Sequence, residues 1–423
     1  MIDKNFFIRN RRKIIEQLPE NSIIFITSAD ELPRNGDQTF SYRQSSDLFY
    51  LTGIKQEQTI LMINNCHPVE SKREMLFIRR SNKKIEVWEG HKLNFDDAKE
   101  ISGVENIAFT DEFEGVLGDL MYYAENVYMT ANPSLRYQRF YNDSEYRFVE
   151  KLKYMFPLHN YKWLTPYLVK ARLVKQQEEI EQIKKAISIT RDAFLRILKF
   201  VKPGVGEYEV MAEITHEFIR NKAFHHAYAP IVASGKDNNI LHYTENNKIC
   251  KDGDLLLLDF GAEYNNYAAD LSRTIPVSGK FTKEQLQVYN AVLTVQTEAT
   301  KLMKPRMTIN KFNEEVGKVM QEQLLSIGLL TKSDIKDNGE LAYKKYYMHG
   351  TGHFLGLDVH DAGTNDTPWQ PGMILTNEPG IYIPEKGFGI RLENDILITE
   401  NGNENLMDET PLNPEEIEEL MNK

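Results

Sequence analysis

Asp259 and Asp270 fall in the stretch 255–274, LLLLDFGAEYNNYAADLSRT, and their types and spacing suit cation chemistry. Four leucines run into Asp259, with Asp252-Gly253 on one side and Asn265-Asn266 near the other. A continuous apolar run bounded by turn residues suits a buried strand, so the stretch reads as a β-hairpin. A hairpin centred between Tyr264 and Asn265 sets the two carboxylates opposite one another, with Cβ atoms roughly 5 Å apart. Like charges at that distance repel unless a cation lies between them. The plain alternative is that Asp270 caps a turn and Asp259 ends a strand, each solvated on its own.

Three later stretches hold the other candidates: HGTGHFLGLDVHD with His349, His353 and His360, TNEPGIYI with Glu378, and GFGIRLENDILIT with Arg391 and Glu393. Gly350, Gly352 and Gly356 argue against a helix that would present His349 and His353 as a zinc pair. Arg391 and Glu393 alternate and so share a strand face, where they either orient a ligand or form a surface ion pair. Glu378 precedes Pro379-Gly380, and a carboxylate ending a strand before a turn is ordinarily solvated.

Charge counting joins these residues. Asp259, Asp270, Glu378 and Glu393 carry four negative charges and a ligating His353 carries none, so two divalent cations balance the set. Two hard cations about 3.5–4 Å apart hold a hydroxide at neutral pH and polarise a carbonyl, which is what amide hydrolysis requires. Four carboxylates and one imidazole favour Mn2+, while Co2+, Zn2+ or Fe2+ accept the same ligands.

These groups need a large scaffold, and 423 residues are enough for two or three domains. The hydrophobic fraction of 41% and charged fraction of 27% are those of a globular chain. A net charge of −11 argues against nucleic acid and anionic membranes as partners. Cys66 and Cys250 alone cannot build a disulfide framework or a cysteine-rich zinc site, which fits a reducing compartment. With no signal-peptide run and no stretch approaching ~20 apolar residues, the expected location is cytoplasmic.

The first third alternates strands at 22–26, 59–63, 74–78 and 126–129 with helices at 9–17 and 144–154, a mixed α/β domain. Pro157, Pro166 and a loss of periodicity suggest a boundary, giving an N-terminal domain over 1–165 and a catalytic domain over 166–423. An amphipathic helix covers 176–201 and stops at Lys202-Pro203. A second starts near Phe281, where Thr282 and Gln285 have capping-box spacing, and stops at Lys304-Pro305. Each is followed by another helix, at 207–221 and 311–327, which suggests an internal duplication. Strands at 374–377 and 389–398 and a charged helix at 414–421 complete the chain.

At these motifs, in this order, the chain resembles the metal-dependent peptidase family that includes aminopeptidase P, prolidase and methionine aminopeptidase. The resemblance rests on LLLLDFGAEY…YAADLSRT, HGTGHFLGLDVHD, NEPGIY and GIRLEND, with looser agreement at SGKDNNILHYTEN. It implies an α+β, pita-bread catalytic domain of two similar halves, preceded by a smaller mixed α/β domain. It further implies that Asp259 chelates one metal, Asp270 and Glu393 bridge two, and His353 and Glu378 complete the second. Glu378 matches an acid/base position, and His242, His349 and His360 match substrate-facing histidines that hold the carbonyl and stabilise the tetrahedral intermediate. Arg391 and Tyr228 match positions supporting the cluster, and Tyr382 a pocket position. His159, His216, His225 and His226 read as structural.

The N-terminal stretches RNGDQTFSYRQSSDLFYLTG and EVWEGHK resemble the aminopeptidase P N-terminal domain. The implied activity is release of the first residue from peptides with proline second, by attack of a metal-bound hydroxide. Asp37 and Trp88 match positions near a neighbour's active site, implying a homodimer or homotetramer through this domain. A prolidase-type dipeptidase and a non-enzymatic pita-bread binding protein are the alternatives.

Overall fold

The apolar runs of the first third become strands of one sheet. In the computed structural model, which describes residues 2–131 and 142–423, the strand order is Ile107–Phe109, Glu74–Ile78, Ile60–Asn64, Ser22–Thr27, Asn126–Met129, Asn160–Trp163. Ser22–Thr27 lies centrally, antiparallel to Ile60–Asn64 and parallel to Asn126–Met129, and is buried throughout. Edge-to-face contacts join Phe25, Phe77 and Phe113 in the core beside it. The first helix is Lys4–Ile15 rather than 9–17, because the Asp3 carboxylate accepts the Asn5 N–H and starts it earlier.

The chain divides into units Met1–Arg172 and Leu173–Lys423. The boundary expected at 165/166 falls at the start of the helix Thr165–Leu173. In the second unit Gln177–Phe200 buries Ile183, Ile187, Phe194 and Ile197 along one face. Lys283–Leu302 begins with the capping box its spacing predicts: Thr282 Oγ1 accepts the Gln285 N–H, and the Gln285 side chain accepts the Thr282 N–H. Glu207–Arg220 follows the first helix and Ile309–Ser326 the second. Each helix pair leads into a three-stranded antiparallel sheet, Ile231–Ser234, Leu255–Asp259, Ser272–Pro276 in one case and Ile374–Asn377, Asn394–Thr399, Gly402–Asn405 in the other. The same element order therefore occurs twice, as the spacing of the Lys-Pro stops suggested.

The hairpin exists, but its centre lies between Asn265 and Asn266. Both asparagines have positive φ, +49° and +67°, a two-residue turn that matches the twist of the strands it joins. Asp259 consequently pairs with Ser272, not with Asp270. Because side chains alternate with period two, Asp270 still points to the same face, one diagonal step away. Leu255–Asp259 is central in its sheet, which explains why its leucines are buried without alternation.

A single strand over 389–398 is not found. Phe388–Arg391 pairs with Gly380–Ile383, and Asn394–Thr399 pairs with Ile374–Asn377, so the chain changes partners at Leu392-Glu393. Different hydrogen-bonding partners on the two sides, invisible to periodicity, break the strand.

Candidate metal centre

Asp259 ends its strand and Asp270 precedes Ser272–Pro276, so both leave the hairpin at the same end. Tyr228 Oη lies 2.5 Å from an oxygen of each. Its one proton serves one carboxylate at a time.

Glu393 sits at the strand change, where its N–H donates to Ser272 O at 3.0 Å. Ser272 Oγ donates to Glu393 Oε2 at 2.7 Å and accepts from Arg391 Nε at 2.8 Å. Arg391 also donates from Nη2 to Asp259 Oδ2 at 2.5 Å and from Nη1 to Tyr382 Oη at 3.1 Å. The expectation that Arg391 and Glu393 share a face of one strand is not met, because the strand ends at Arg391; the two side chains instead meet on the Ser272 hydroxyl.

The HGTGH segment is not helical, in keeping with its glycines. It runs beside Ile374–Asn377, with Thr376 N donating to His353 O and Glu378 N donating to Thr351 O. A Cβ on Gly352 would stand 2.2 Å from Thr376 O, so no other residue allows this approach. His353 Nδ1 donates to Phe354 O at 3.0 Å, which leaves Nε2 as the lone-pair nitrogen in the neutral ring. That nitrogen lies 3.4 Å from Asp270 Oδ2 and 3.8 Å from Glu378 Oε1. Asp270, His353 and Glu393 each offer a donor atom within 4.8 Å of the others.

Burial and mutual repulsion push the carboxyls of Asp259, Glu393 and Asp395 up, and that of Glu378 up to about 7. Glu393 Oε1 and Asp395 Oδ1 are buried with no hydrogen-bond donor. Such a set is unfavourable as bare anions and matches the needs of hard divalent cations. The residues present therefore fit a metal.

His349 donates from Nδ1 to Gly350 O at 2.7 Å, and Nε2 accepts from Tyr382 Oη at 2.8 Å. Burial and the Arg391 charge hold its pKa down at about 3, so it stays neutral. His360 is exposed and its ring meets that of His353 edge-on at 4.4 Å. His242 is exposed and close enough for its charge to act on His349. His226 pairs with Thr215 Oγ1, and His159 with Met121 O, consistent with structural roles.

Sequence reasoning passed over Ser272, Arg273 and Asp395. All three lie inside motifs already quoted, and Asp395 alternates with Glu393. Arg273 is fully buried and donates to Pro411 O, Ser272 O, Glu393 O and Asn394 Oδ1, clamping the strand change. Asp395 Oδ2 accepts the Asp270 N–H at 3.1 Å.

Residues 181–400 match metallopeptidase family M24, and residues 7–128 match the aminopeptidase P N-terminal domain. The chain is 37% identical to the Xaa-Pro aminopeptidase of Escherichia coli, over 99% of this chain and 98% of that protein. The structure of zinc-substituted E. coli aminopeptidase P in complex with product superposes with a TM-score of 0.89 at 35% identity, covering 99% of this chain and 98% of that one. Proline aminopeptidase P II from Yersinia pestis gives 0.89 at 35% identity, over 100% of both chains.

Proposed function

The chain belongs to metallopeptidase family M24 and is a Xaa-Pro aminopeptidase of the pita-bread fold, and from that premise we propose how its residues divide the work. Asp259, Asp270, His353, Glu378 and Glu393 hold two divalent ions, Mn2+ by preference. The observation that carries this is the convergence of these five side chains: Asp259, Asp270 and Glu393 are held by Tyr228, Ser272 and Arg391, and His353 Nε2 approaches both Asp270 and Glu378. When bound, the ions supply a nucleophilic water at neutral pH and polarise the scissile carbonyl.

The protein's own groups do the rest. Glu378 is the most open of the five, its side chain 20% exposed, and we assign it the proton that reaches the leaving nitrogen. Arg391, itself buried, favours the charged form of Asp259 against the burial that raises its carboxyl, and it donates to the Tyr382 hydroxyl. With both His349 nitrogens engaged within the protein, its ring walls the pocket beside Tyr382. The hydrogen bonds to the substrate carbonyl then fall to His242 and His360. The bond cleaved is a tertiary amide without an N–H, which general peptidases handle poorly.

We also propose a cytoplasmic enzyme, supported by two free cysteines, Cys66 and Cys250. Among the described residues no helix is long and apolar enough to cross a membrane. A homodimer or homotetramer through the N-terminal domain is the proposed assembly, supported by Trp88 being 80% exposed, and sedimentation equilibrium tests it.

The functional test uses protein stripped by chelator and then given manganese, with a Xaa-Pro dipeptide beside a Xaa-Pro-Yaa-Zaa tetrapeptide. Manganese-dependent release of Xaa from the tetrapeptide is expected. Cleavage confined to the dipeptide would mean a prolidase, a reading that full-length similarity to Xaa-Pro aminopeptidases disfavours.

A further inference from the structure

Lys175 and Asp361 form a buried ion pair in the second unit. Lys175 Nζ donates to Asp361 Oδ2 at 2.8 Å, and each side chain is only 1% exposed. Lys175 Nζ also reaches Leu173 O at 3.4 Å, and its N–H donates to Gly372 O. Burying two charges is costly unless their geometry is fixed, so the pair calls for an explanation beyond stability.

The loop 354–361 wraps around this pair. Asp361 N donates to Phe354 O at 2.9 Å, closing the loop on itself. A Cβ on Gly356 would stand 2.2 Å from Asp361 Oδ2 and 3.0 Å from Lys175 Cε, so the loop backbone packs directly on the ion pair. The two ends of the loop are held by different means. His353 is held from the strand side, by Thr376 Oγ1 accepting its N–H at 3.1 Å and by Leu355 N donating to Ile374 O. His360, at the other end, is exposed and is followed directly by Asp361.

We propose that the Lys175–Asp361 ion pair is the strut that positions His360 against His353, making both members positioning residues for the peptidase reaction. Lys175 anchors Asp361, Asp361 fixes the backbone of its neighbour, and the His360 ring is thereby held 4.4 Å from that of His353. The inference rests on the aminopeptidase reading and deepens it. A shift of about 1 Å in a group that meets the substrate can cost about 10²-fold in rate.

The test is a double-mutant cycle of Lys175→Met and His360→Ala in the full-length, manganese-loaded enzyme on the tetrapeptide. Manganese affinity by calorimetry and thermal unfolding are measured alongside. Lys175→Met is expected to lower kcat about 10²-fold with KM and manganese affinity within about twofold. His360→Ala added to it should then cost under twofold, since the histidine is already misplaced. If His360→Ala costs the same factor in both backgrounds, the pair does not act through His360 and the proposal fails. Should Lys175→Met unfold, Asp361→Asn, which keeps the side-chain shape, takes its place. The pair Lys175→Met with Asp361→Leu adds a second arm, because an apolar replacement commonly restores stability. Recovered Tm with kcat still low supports positioning, whereas recovery of both makes the ion pair merely structural. A parent enzyme that leaves the tetrapeptide uncut sinks the aminopeptidase reading; an active parent with an additive cycle sinks only the strut.

Discussion

The Ser272 hydroxyl donates a hydrogen bond to Glu393 Oε2 at 2.7 Å, joining the second strand of the aspartate hairpin to the point where the C-terminal strands change partners. The Glu393 N–H also donates to Ser272 O at 3.0 Å, outside the regular strand pairing. The serine fixes Oε2, while Oε1 is buried without a donor, and the carboxylate offers one oxygen within 4.8 Å of donor atoms of Asp270 and His353.

Ser272→Ala removes that donor and leaves Glu393 Oε2 buried beside a methyl group. The expected cost is about 1–3 kcal/mol of stability and about 10- to 100-fold in manganese affinity. Chelator-competition titration and urea unfolding of the same preparations check both.

Glu393→Gln removes one charge from a cluster whose carboxyls are raised by burial and one another. A carboxyl raised in the folded state destabilises the fold above its unfolded pKa, so in chelator at neutral pH the variant should melt higher than the parent. With manganese the order should reverse, because the parent gains binding energy that the variant lacks. Paired calorimetric scans decide this. No activity is expected from the loaded variant, nor from Asp270→Ala.

Glu145, in the N-terminal unit, offers a pH prediction away from the metal centre. Burial raises its pKa from 4.5 to about 8. The folded state therefore keeps a proton that the unfolded chain gives up. Its penalty is absent below pH 4.5, grows as pH rises, and is complete above about pH 8. Glu145→Gln should match the parent near pH 4 and unfold at higher temperature than the parent at pH 8.5. Equal Tm values at the higher pH would count against the buried acid.

His349 is held neutral, with its pKa near 3. It should contribute no limb to the pH–rate profile above about pH 4. Tyr382→Phe takes away the hydroxyl that His349 Nε2 accepts and that Arg391 donates to. About a tenfold loss in kcat/KM with unchanged manganese stoichiometry is expected, a size in keeping with one lost hydrogen bond to a charged network. Single-turnover kinetics and metal analysis of the purified variant provide the check.

Much of the centre was legible because its residues sit in short motifs with strong local rules. The glycines around His349 and His353 argued against a helix, and the structure has a non-helical segment there. The capping box at Thr282 and the apolar stripe of Gln177–Phe200 appear as expected. Pairing was less legible. Asp259 faces Ser272 because two asparagines adopt positive φ, a choice that moves the hairpin centre by one residue. The strand expected over 389–398 divides because its halves bond to different neighbours.

The amino-acid sequence by itself determined the local elements, the family motifs and the chemical types brought to the centre, since periodicity, capping and turn preference act over a few residues. The tertiary structure alone decided register, which nitrogen of His353 faces the carboxylates, and the roles of Ser272, Arg273, Lys175 and Asp361. Those depend on groups up to 186 residues apart meeting in a buried space, where each polar atom must find a partner that no local pattern names.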